Sequence, residues 1–318
     1  MRQGMPLVRA SLLGCCVLGL LACQKKTESA TAGSGSAAAK TSAAPPASAA
    51  ASVFKPAAPF ASVLPGQAQA ISLTVNPENA PAYTGPTGSV RGIVTATGDA
   101  PSAATKHLAQ IKGKCPEARE AYSHVFREGM MRSLADVLVA VTGYSGYVPA
   151  AEPKVTVNAR GCAFSTRTIA LTFGQALDVV SKDGEGYAPN LLGSHMQAQL
   201  LALPGGVPST LYPPQPGHYE LTDSIKVFML ADVFVVKYAT HDVTSLDGRY
   251  EIKGIPVGKV RLNALLPATN ISIEKDIEIK AGETLEMPLE LRFDAKAYAQ
   301  AAADAASAEA AQPPAPKR

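Results

Sequence analysis

Few residues of this chain could do chemistry, and their spacing is not that of a metal-binding motif. There are five histidines and no tryptophan, the histidines being His107, His124, His195, His218 and His241. None forms the H-x-H, H-E-x-x-H or H-x₃-H pair by which one strand or helix turns two imidazoles toward a metal ion. Scattered surface histidines are therefore the favoured interpretation, and the sequence predicts no metal site and no cofactor.

Candidates for nucleophilic or acid–base catalysis are equally weak. The run Gly143–Tyr147 reads G-Y-S-G-Y, one residue short of the G-x-S-x-G nucleophile elbow, and no helix is predicted after it. The carboxylates Glu185, Asp223 and Asp242 follow no glycosidase-like pairing. Gly205-Gly206 lacks the Lys-Ser/Thr pair of a phosphate-binding loop. The sequence thus predicts a protein that is not an enzyme.

Composition excludes several other classes of protein. The chain has 318 residues, 47% of them hydrophobic and 17% charged, with a formal net charge of +3. That hydrophobic share is too high for a wholly disordered chain. The net charge is too small for a nucleic-acid-binding surface, so no nucleic acid partner is expected.

The N-terminus has the features of an export signal. Arg2 and Arg9 precede an apolar run, Ser11–Ala22, whose 12 residues would rise about 18 Å as a helix, well short of a bilayer's hydrocarbon core. The run is typical of a signal peptide, which we place at residues 1–22. Leu20-Leu21-Ala22-Cys23 resembles the lipobox of bacterial lipoproteins. The resemblance implies that Cys23 is lipidated and, with Gln24 following, that the protein is held at the outer membrane of a Gram-negative bacterium.

Two segments of unusual composition flank the rest of the chain. Residues 23–84 begin with a stretch, Gln24–Ala51, that has no Leu, Ile, Val or Phe and is predicted to be a flexible tether. Val53–Ala82 is transitional and could dock on the body. Residues 295–318 are rich in Ala and Pro and lack an apolar stripe, so we expect a frayed tail with at most a short helix.

The cysteines divide according to this organisation. Cys15 and Cys16 would leave with the signal peptide, and Cys23 would carry lipid. Cys115 and Cys162 remain, and an even pair in an oxidising compartment favours a disulfide. A redox-active or metal-binding pair is the alternative, which the lack of C-x-x-C spacing disfavours.

Residues 85–294 form the predicted body, which is all-β. Short β-branched or alternating runs recur between turn signals, as in a β-sandwich. Asp247-Gly248 predicts a hairpin turn. The body is expected to be either one sandwich or two subdomains, 85–240 and 241–294. The runs are Val90–Ala96, Leu134–Thr142, Thr168–Phe173, Ile225–Tyr238, Ile271–Ile279 and Thr284–Leu291.

Several motifs of the body, taken in order, resemble a family of bacterial cupredoxin-like proteins with a carboxypeptidase regulatory-like segment, some called methylamine utilization protein-like. The resemblance implies a cupredoxin-like Greek-key β-sandwich followed by a regulatory-like β segment. It covers about two-thirds of the chain and is densest near the C-terminus. The motifs are Gly161-Cys162-Ala163-Phe164, Lys182-Asp183, Met229, Asp247–Ile252 and Ile255-Pro256-Val257-Gly258.

The copper ligands of that family are missing here. Copper-bearing members have His-Asn shortly after the aspartate, whereas Gly184–Asn190 contains no histidine. They also have C-x-x-H-x-W-M, whereas Asp223–Met229 keeps only the methionine. A blue-copper site requires two histidines and a thiolate, so the sequence predicts that this site is absent.

These observations lead to three functional hypotheses. The first is a non-catalytic, lipid-anchored envelope protein with a binding or structural role, its body in the periplasm or at the cell surface, its partner an unknown envelope protein. The second is a copper-binding or electron-transfer protein with a relocated site, for instance His195, His218 and Met229. The third is an accessory or regulatory domain of an envelope enzyme.

Overall fold

The computed structural model describes residues 67–104, 109–111, 113–194 and 200–310. Every described residue belongs to one compact unit. The predicted signal peptide, Cys23 and the tether up to residue 66 lie outside the described residues. In the described part of the chain, no helix is both long and apolar enough to cross a membrane.

The described residues include sixteen strands and three helices. The prediction of an all-β sandwich protein is therefore confirmed. The strands are β1 (Thr87–Gly98), β2 (Leu138–Thr142), β3 (Lys154–Arg160), β4 (Ala163–Phe164), β5 (Thr168–Thr172), β6 (Ala176–Ser181), β7 (Pro189–Leu192), β8 (Ser209–Leu211), β9 (Gly217–Asp223), β10 (Leu230–Val236), β11 (His241–Val243), β12 (Arg249–Pro256), β13 (Gly258–Leu266), β14 (Ile271–Ile279), β15 (Thr284–Glu286) and β16 (Leu289–Phe293). The helices are α1 (Gln67–Val75), α2 (Pro116–Tyr122) and α3 (Ala295–Ala310), with 3-10 turns at Met130–Arg132 and Pro267–Thr269.

Strands β3 to β10 form one sandwich, which we call the inserted sandwich. Its two sheets have the strand orders β4-β3-β6-β8 and β5-β10-β9-β7. Pairs β3/β6 and β5/β10 are parallel, and the others are antiparallel. Alternate residues of these strands face one apolar core, which includes Leu171, Leu177 and Leu221, as expected for side chains that point to opposite faces of a strand in turn.

The remaining strands form a second sandwich, which we call the framing sandwich. In one sheet β1 pairs with β12, β15 and β16, and in the other the order is β11-β2-β13-β14. Its separate apolar core includes Val94, Val139, Leu262 and Leu291. Because β1 and β2 precede the inserted sandwich and β11 to β16 follow it, the chain enters, leaves and re-enters the framing sandwich.

Strand pairing in the framing sandwich runs across residue 240, where the sequence analysis placed one possible subdomain boundary. Residues 85–142 lie on the N-terminal side of that boundary, yet β1 pairs with β12 and β2 pairs with β13. Val94 of β1 and Val139 of β2 lie in the same apolar core as Leu262 and Leu291. The strands that complete the core come from residues 87–142.

The Asp247-Gly248 turn behaves differently from its sequence signal. Gly248 has a φ of 71°, as an Asp-Gly turn requires, but the flanking strands do not form the predicted hairpin. β11 pairs with β2 and β12 pairs with β1, so the turn carries the chain from one sheet to the other. By contrast, β14 has the predicted limits, and it pairs with β13 along nine residues.

Each flanking segment contains a helix among the described residues, and α1 lies in the Val53–Ala82 stretch that the sequence analysis allows to dock on the body. Helix α1 lies within the expected tether, and its Ile71 is buried in the core of the inserted sandwich. The expected tail contains the 16-residue helix α3, which begins where Asp99 accepts a hydrogen bond from the Ala295 amide. Tyr298 packs on Phe293 at 5.7 Å between ring centroids. Residues 311–318 lie outside the described residues.

A buried ion pair joins the two sandwiches. Arg127 donates two hydrogen bonds to Asp136, of 2.7 and 2.6 Å, and both side chains are nearly buried. The same carboxylate accepts hydrogen bonds from the Thr166 hydroxyl and the Arg167 amide, which belong to the inserted sandwich. Asp136 has a φ of 65°, an unfavourable value for a non-glycine residue that these contacts hold in place.

Candidate functional site

Three loops meet at one end of the inserted sandwich, and we call this region the three-loop site. The loops are residues 182–188, 200–208 and 224–229. Tyr187 and Ala202 exchange two backbone hydrogen bonds, of 3.0 and 2.8 Å, which join the first loop to the second. The Ser224 amide donates to the Ala188 carbonyl at 2.9 Å, which joins the first loop to the third. The motif positions that the family resemblance assigns to copper, residues 184–190 and 223–229, therefore lie side by side.

A hydrogen-bonded pair, Asp183 and Tyr187, occupies the first of these loops. The fully buried Tyr187 hydroxyl donates to Asp183 at 2.7 Å and accepts from the Cys162 amide at 3.3 Å. Asp183 also accepts from the Gly161 and Glu185 amides. Burial raises the pKa of Asp183, but the hydrogen bonds lower it by more, so its pKa lies below the usual value. The pKa of Tyr187 is raised, by burial first and then by Asp183.

Asp223 lies at the position where the family has cysteine, and its carboxylate accepts hydrogen bonds from backbone amides. It is 1% exposed. One oxygen accepts from the amides of Ile225 and Lys226, and the other accepts from the amide of Ala188 at 2.6 Å. A carboxylate with this many short hydrogen bonds fixes the two loops it joins. It has little capacity left to bind a metal ion.

Lys226 stands at the position of the family's histidine and contributes a cation. Its ammonium group donates to the Gly186 carbonyl at 2.8 Å and lies 4.3 Å from the centre of the Tyr187 ring. Glu185 is 3.8 Å away at the exposed edge. An ammonium group above an aromatic face is a favourable cation–π contact, and it offers no lone pair to a metal.

Met229 is the last of the motif positions and keeps the family's residue type. Its side chain is completely buried in the core of the inserted sandwich. The residues present at these three positions therefore do not fit copper. In the part of the chain that the structure describes, no group of three or more His, Cys, Asp or Glu could hold a metal ion.

The relocated copper site suggested by the sequence is not assembled by the described residues. His218 lies on the outer face of β9, bonded to Asp232 at 2.7 Å and stacked on Phe234 at 4.7 Å. Met229 is buried in the core, away from that face. His195 lies outside the described residues. His241 is close to Thr172, at 3.2 Å, and burial lowers its pKa to about 4.

The other catalytic candidates are also held by local contacts. In the Gly143–Tyr147 loop, Tyr144 packs on Tyr238 at 5.8 Å between centroids and contacts the Thr240 hydroxyl. Asp242 accepts from the Glu251 amide, and burial raises its pKa. Gly205, with a φ of 63°, lies in a turn closed by the Gly206 amide and the Leu203 carbonyl.

Cys115 and Cys162, which the sequence pairs, are joined by a disulfide across 47 residues. The bond connects the start of α2 to the turn between β3 and β4. The Cys162 amide donates to Tyr187, so the disulfide supports the turn that contacts the three-loop site. Because both sulfurs are in the disulfide, neither cysteine has a free thiol to bind a metal ion.

The sequence interpretation missed the apolar surface of the three-loop site. Five aliphatic side chains there are 54–84% exposed, namely Leu201, Leu203, Val207, Ile225 and Val227. Exposed aliphatic residues grouped in this way are uncommon on a protein that has no binding partner. Their signal in the sequence is apolar residues among Pro and Gly, as in Leu201–Val207. That pattern predicts a turn but does not say which side chains face solvent.

The chain matches no protein-family model and no curated protein. Among solved structures it is similar to the copper-containing nitrite reductase from Thermus scotoductus SA-01, with 17% identity and a TM-score of 0.22, over 30% of this chain and 24% of that one. It is also similar to amicyanin from Paracoccus versutus, with 15% identity and a TM-score of 0.23, over 30% of this chain and 96% of amicyanin. The chain thus spans about a quarter of the nitrite reductase chain. We assign no function from these similarities.

Proposed function

We propose that this chain is a non-catalytic, lipid-anchored protein of the bacterial envelope, and that its three-loop site binds another envelope protein. The scaffold would be a degenerate cupredoxin-like sandwich that has lost its copper ligands. The observation that carries the proposal is the group of exposed aliphatic side chains on loops 200–208 and 224–229. The three-loop site also contains a polar cluster whose hydrogen bonds are made within the protein.

The polar cluster favours a binding surface over a catalytic one. Asp183, Asp223 and Lys226 are each engaged with backbone groups or with Tyr187, so they hold the loops in one arrangement. A preorganised surface loses little conformational freedom on binding. Burying an aliphatic side chain that was exposed contributes up to about 1.5–3 kcal/mol, so several of these five would give useful affinity.

Site-specific photo-crosslinking would test the binding surface. A photoreactive residue at Val207 or Val227 should give one discrete adduct in native membranes, and the same residue at Leu73, exposed on α1, should not. Leu203→Ser, which removes a neighbouring aliphatic group, should reduce the adduct. Equal adducts at all three positions, or none at Val207 and Val227, would reject the proposed surface. Identification of the adduct also shows whether the partner is an envelope enzyme.

The lipid anchor is supported by the sequence Leu20-Leu21-Ala22-Cys23 and has its own test. Palmitate should label the wild-type protein and not the Cys23→Ala variant. Wild-type protein that takes up no label would remove the anchor from the proposal while leaving the binding surface untouched.

Copper binding remains the competing hypothesis, and the positions of His218 and Met229 give it no support. Metal analysis of the purified protein, together with its visible absorption spectrum, separates the two. Stoichiometric copper would overturn the proposed function.

A further inference from the structure

Two adjacent methionines are the most exposed large apolar side chains of the described residues. Met130 and Met131 are 88% and 92% exposed, at the turn before Leu134 in the framing sandwich. They line a cavity of about 1050 Å³ together with apolar groups such as Ile93 and Leu246. This cavity is distinct from the three-loop site, which is formed by the inserted sandwich.

Polar contacts hold the turn, and the two thioethers take no part in them. Arg132 donates to the carbonyls of Gly98 and Asp99, both at 2.8 Å, and to the Glu128 carboxylate. The Ser133 hydroxyl donates to a backbone carbonyl at 2.6 Å.

Backbone geometry adds a second constraint on the turn. Met131 and Arg132 have φ values of 55° and 62°, in the left-handed region that side chains other than glycine seldom adopt. A Cβ at Gly129 would lie 1.9 Å from the Leu246 carbonyl oxygen, so the chain passes there at a distance only glycine permits. The turn is therefore tightly packed at Gly129, and it presents both methionines to solvent.

The other described methionines provide an internal contrast. Met229 is completely buried in the core of the inserted sandwich, and Met287 is partly buried against the core of the framing sandwich. Susceptibility of a methionine to oxidation depends on its exposure to the oxidant. A diffusible oxidant thus reaches Met130 and Met131 first.

We propose that the Met130–Met131 turn is an oxidant-accepting modification site, at which peroxide converts both thioethers to sulfoxides without disturbing the fold. In each reaction the sulfur attacks one oxygen of hydrogen peroxide, the O–O bond breaks and an S–O bond forms. The sulfur is oxidised by two electrons, and the peroxide leaves as water after proton transfer. A sulfoxide is polar, so the apolar rim of the cavity becomes polar while no core contact is lost.

Peptide mapping by mass spectrometry tests this on the full chain. With dilute hydrogen peroxide, Met130 and Met131 should gain oxygen about tenfold faster than Met229. Met196 lies outside the described residues and is followed as its own peptide. The urea midpoint should be unchanged when both sulfoxides have formed. Methionine sulfoxide reductases of both stereochemical classes, added together, should then restore the thioethers.

Matched variants distinguish fast oxidation of exposed methionines from oxidation that every methionine of the protein undergoes. Met130→Leu with Met131→Leu should abolish the fast uptake at this turn, whereas Met229→Leu should leave it unchanged. The proposal is overturned if Met229 reacts as fast as the pair. It is also overturned if the midpoint falls as the first two oxygens are taken up, because the turn would then be part of what stabilises the fold.

Discussion

Single side chains decide much of the local chemistry, and Tyr187 is the clearest example. Its hydroxyl donates to Asp183 and accepts from the Cys162 amide, so one buried group joins the first loop to the turn that carries the disulfide. Its ring also lies beneath the Lys226 ammonium group.

His241 makes the stability of the fold depend on pH. Burial lowers its pKa to about 4, whereas an unfolded histidine has a pKa of about 6.5. Stability is therefore full above about pH 6.5 and falls as the pH drops toward 4, because only the unfolded state binds the proton. We expect a loss on the order of 3 kcal/mol across this range.

Urea unfolding of the wild type and His241→Gln at pH 7, 5 and 4 measures this dependence. Glutamine does not titrate, so the variant should lose less stability than the wild type between pH 7 and 4. Identical slopes for the two proteins would show that His241 is protonated equally in both states.

At the scale of elements, three loops and a disulfide define one end of the inserted sandwich. The disulfide joins α2 to the β3–β4 turn, which contacts Tyr187. The end of β9 contributes Asp223, and the β9–β10 connection contributes Lys226. The sequence identified the cysteine pair but predicted strand from Ile225 onward, and the assembly of the loops into one site depends on how the sheets bring them together.

Removal of the disulfide should be costly and should not abolish the strand pairing. Replacing both Cys115 and Cys162 with serine frees a loop of 47 residues, which costs about 4 kcal/mol in the chain-entropy description. Denaturant unfolding of the double variant measures the loss. Non-reducing mass spectrometry of the wild type is the control, and free alkylation of both thiols there would contradict the pairing.

The three-loop site also allows a gain-of-function prediction that tests the degenerate scaffold. Tyr187→His, Asp223→Cys and Lys226→His, with Met229 kept, would supply two imidazoles, a thiolate and a thioether. We expect this variant to bind Cu²⁺ and to show the strong visible absorption of a copper–thiolate bond. The control keeps both histidines and carries Asp223→Ser. Absence of the band in a variant that retains its far-UV dichroism would argue against a copper-protein ancestry for this scaffold.

At the scale of the whole molecule, two cores depend on each other through Arg127 and Asp136. The pair is almost fully buried, and Asp136 also holds Thr166 and the Arg167 amide of the inserted sandwich. If either side chain were removed, the other charge would stay buried without its partner, which carries a large cost in stability. The two sandwiches should consequently unfold as one cooperative unit.

Arg127→Ala tests this coupling. The substitution leaves the Asp136 carboxylate buried without its cation and should cost about 3–5 kcal/mol. It should also split the calorimetric transition into two. Arg91→Ala, which breaks the exposed pair with Glu286, is the matched control and should change stability by about 1 kcal/mol or less. A small effect for Arg127→Ala would mean that the junction does not couple the sandwiches.

The sequence by itself determined the all-β class, the limits of β14, the cysteine pair and the absence of histidine and cysteine from residues 184–190 and 223–229. These features depend on local alternation, turn residues and the presence or absence of particular side chains, all of which can be read along the chain. It also placed strand in the Ile225–Tyr238 run, although only Leu230–Val236 became a strand, because Asp223 holds the preceding residues in a loop.

Only the tertiary structure decided which strands share a core and which apolar side chains face solvent. Pairing of β1 with β12, β15 and β16 connects residues far apart in the chain, and strand periodicity does not encode such partners. The exposure of Val207 and Val227 likewise depends on the loops that surround them. Asp247-Gly248 shows the same limit, since a turn signal specifies a local bend while the sheets on either side determine where the chain goes next.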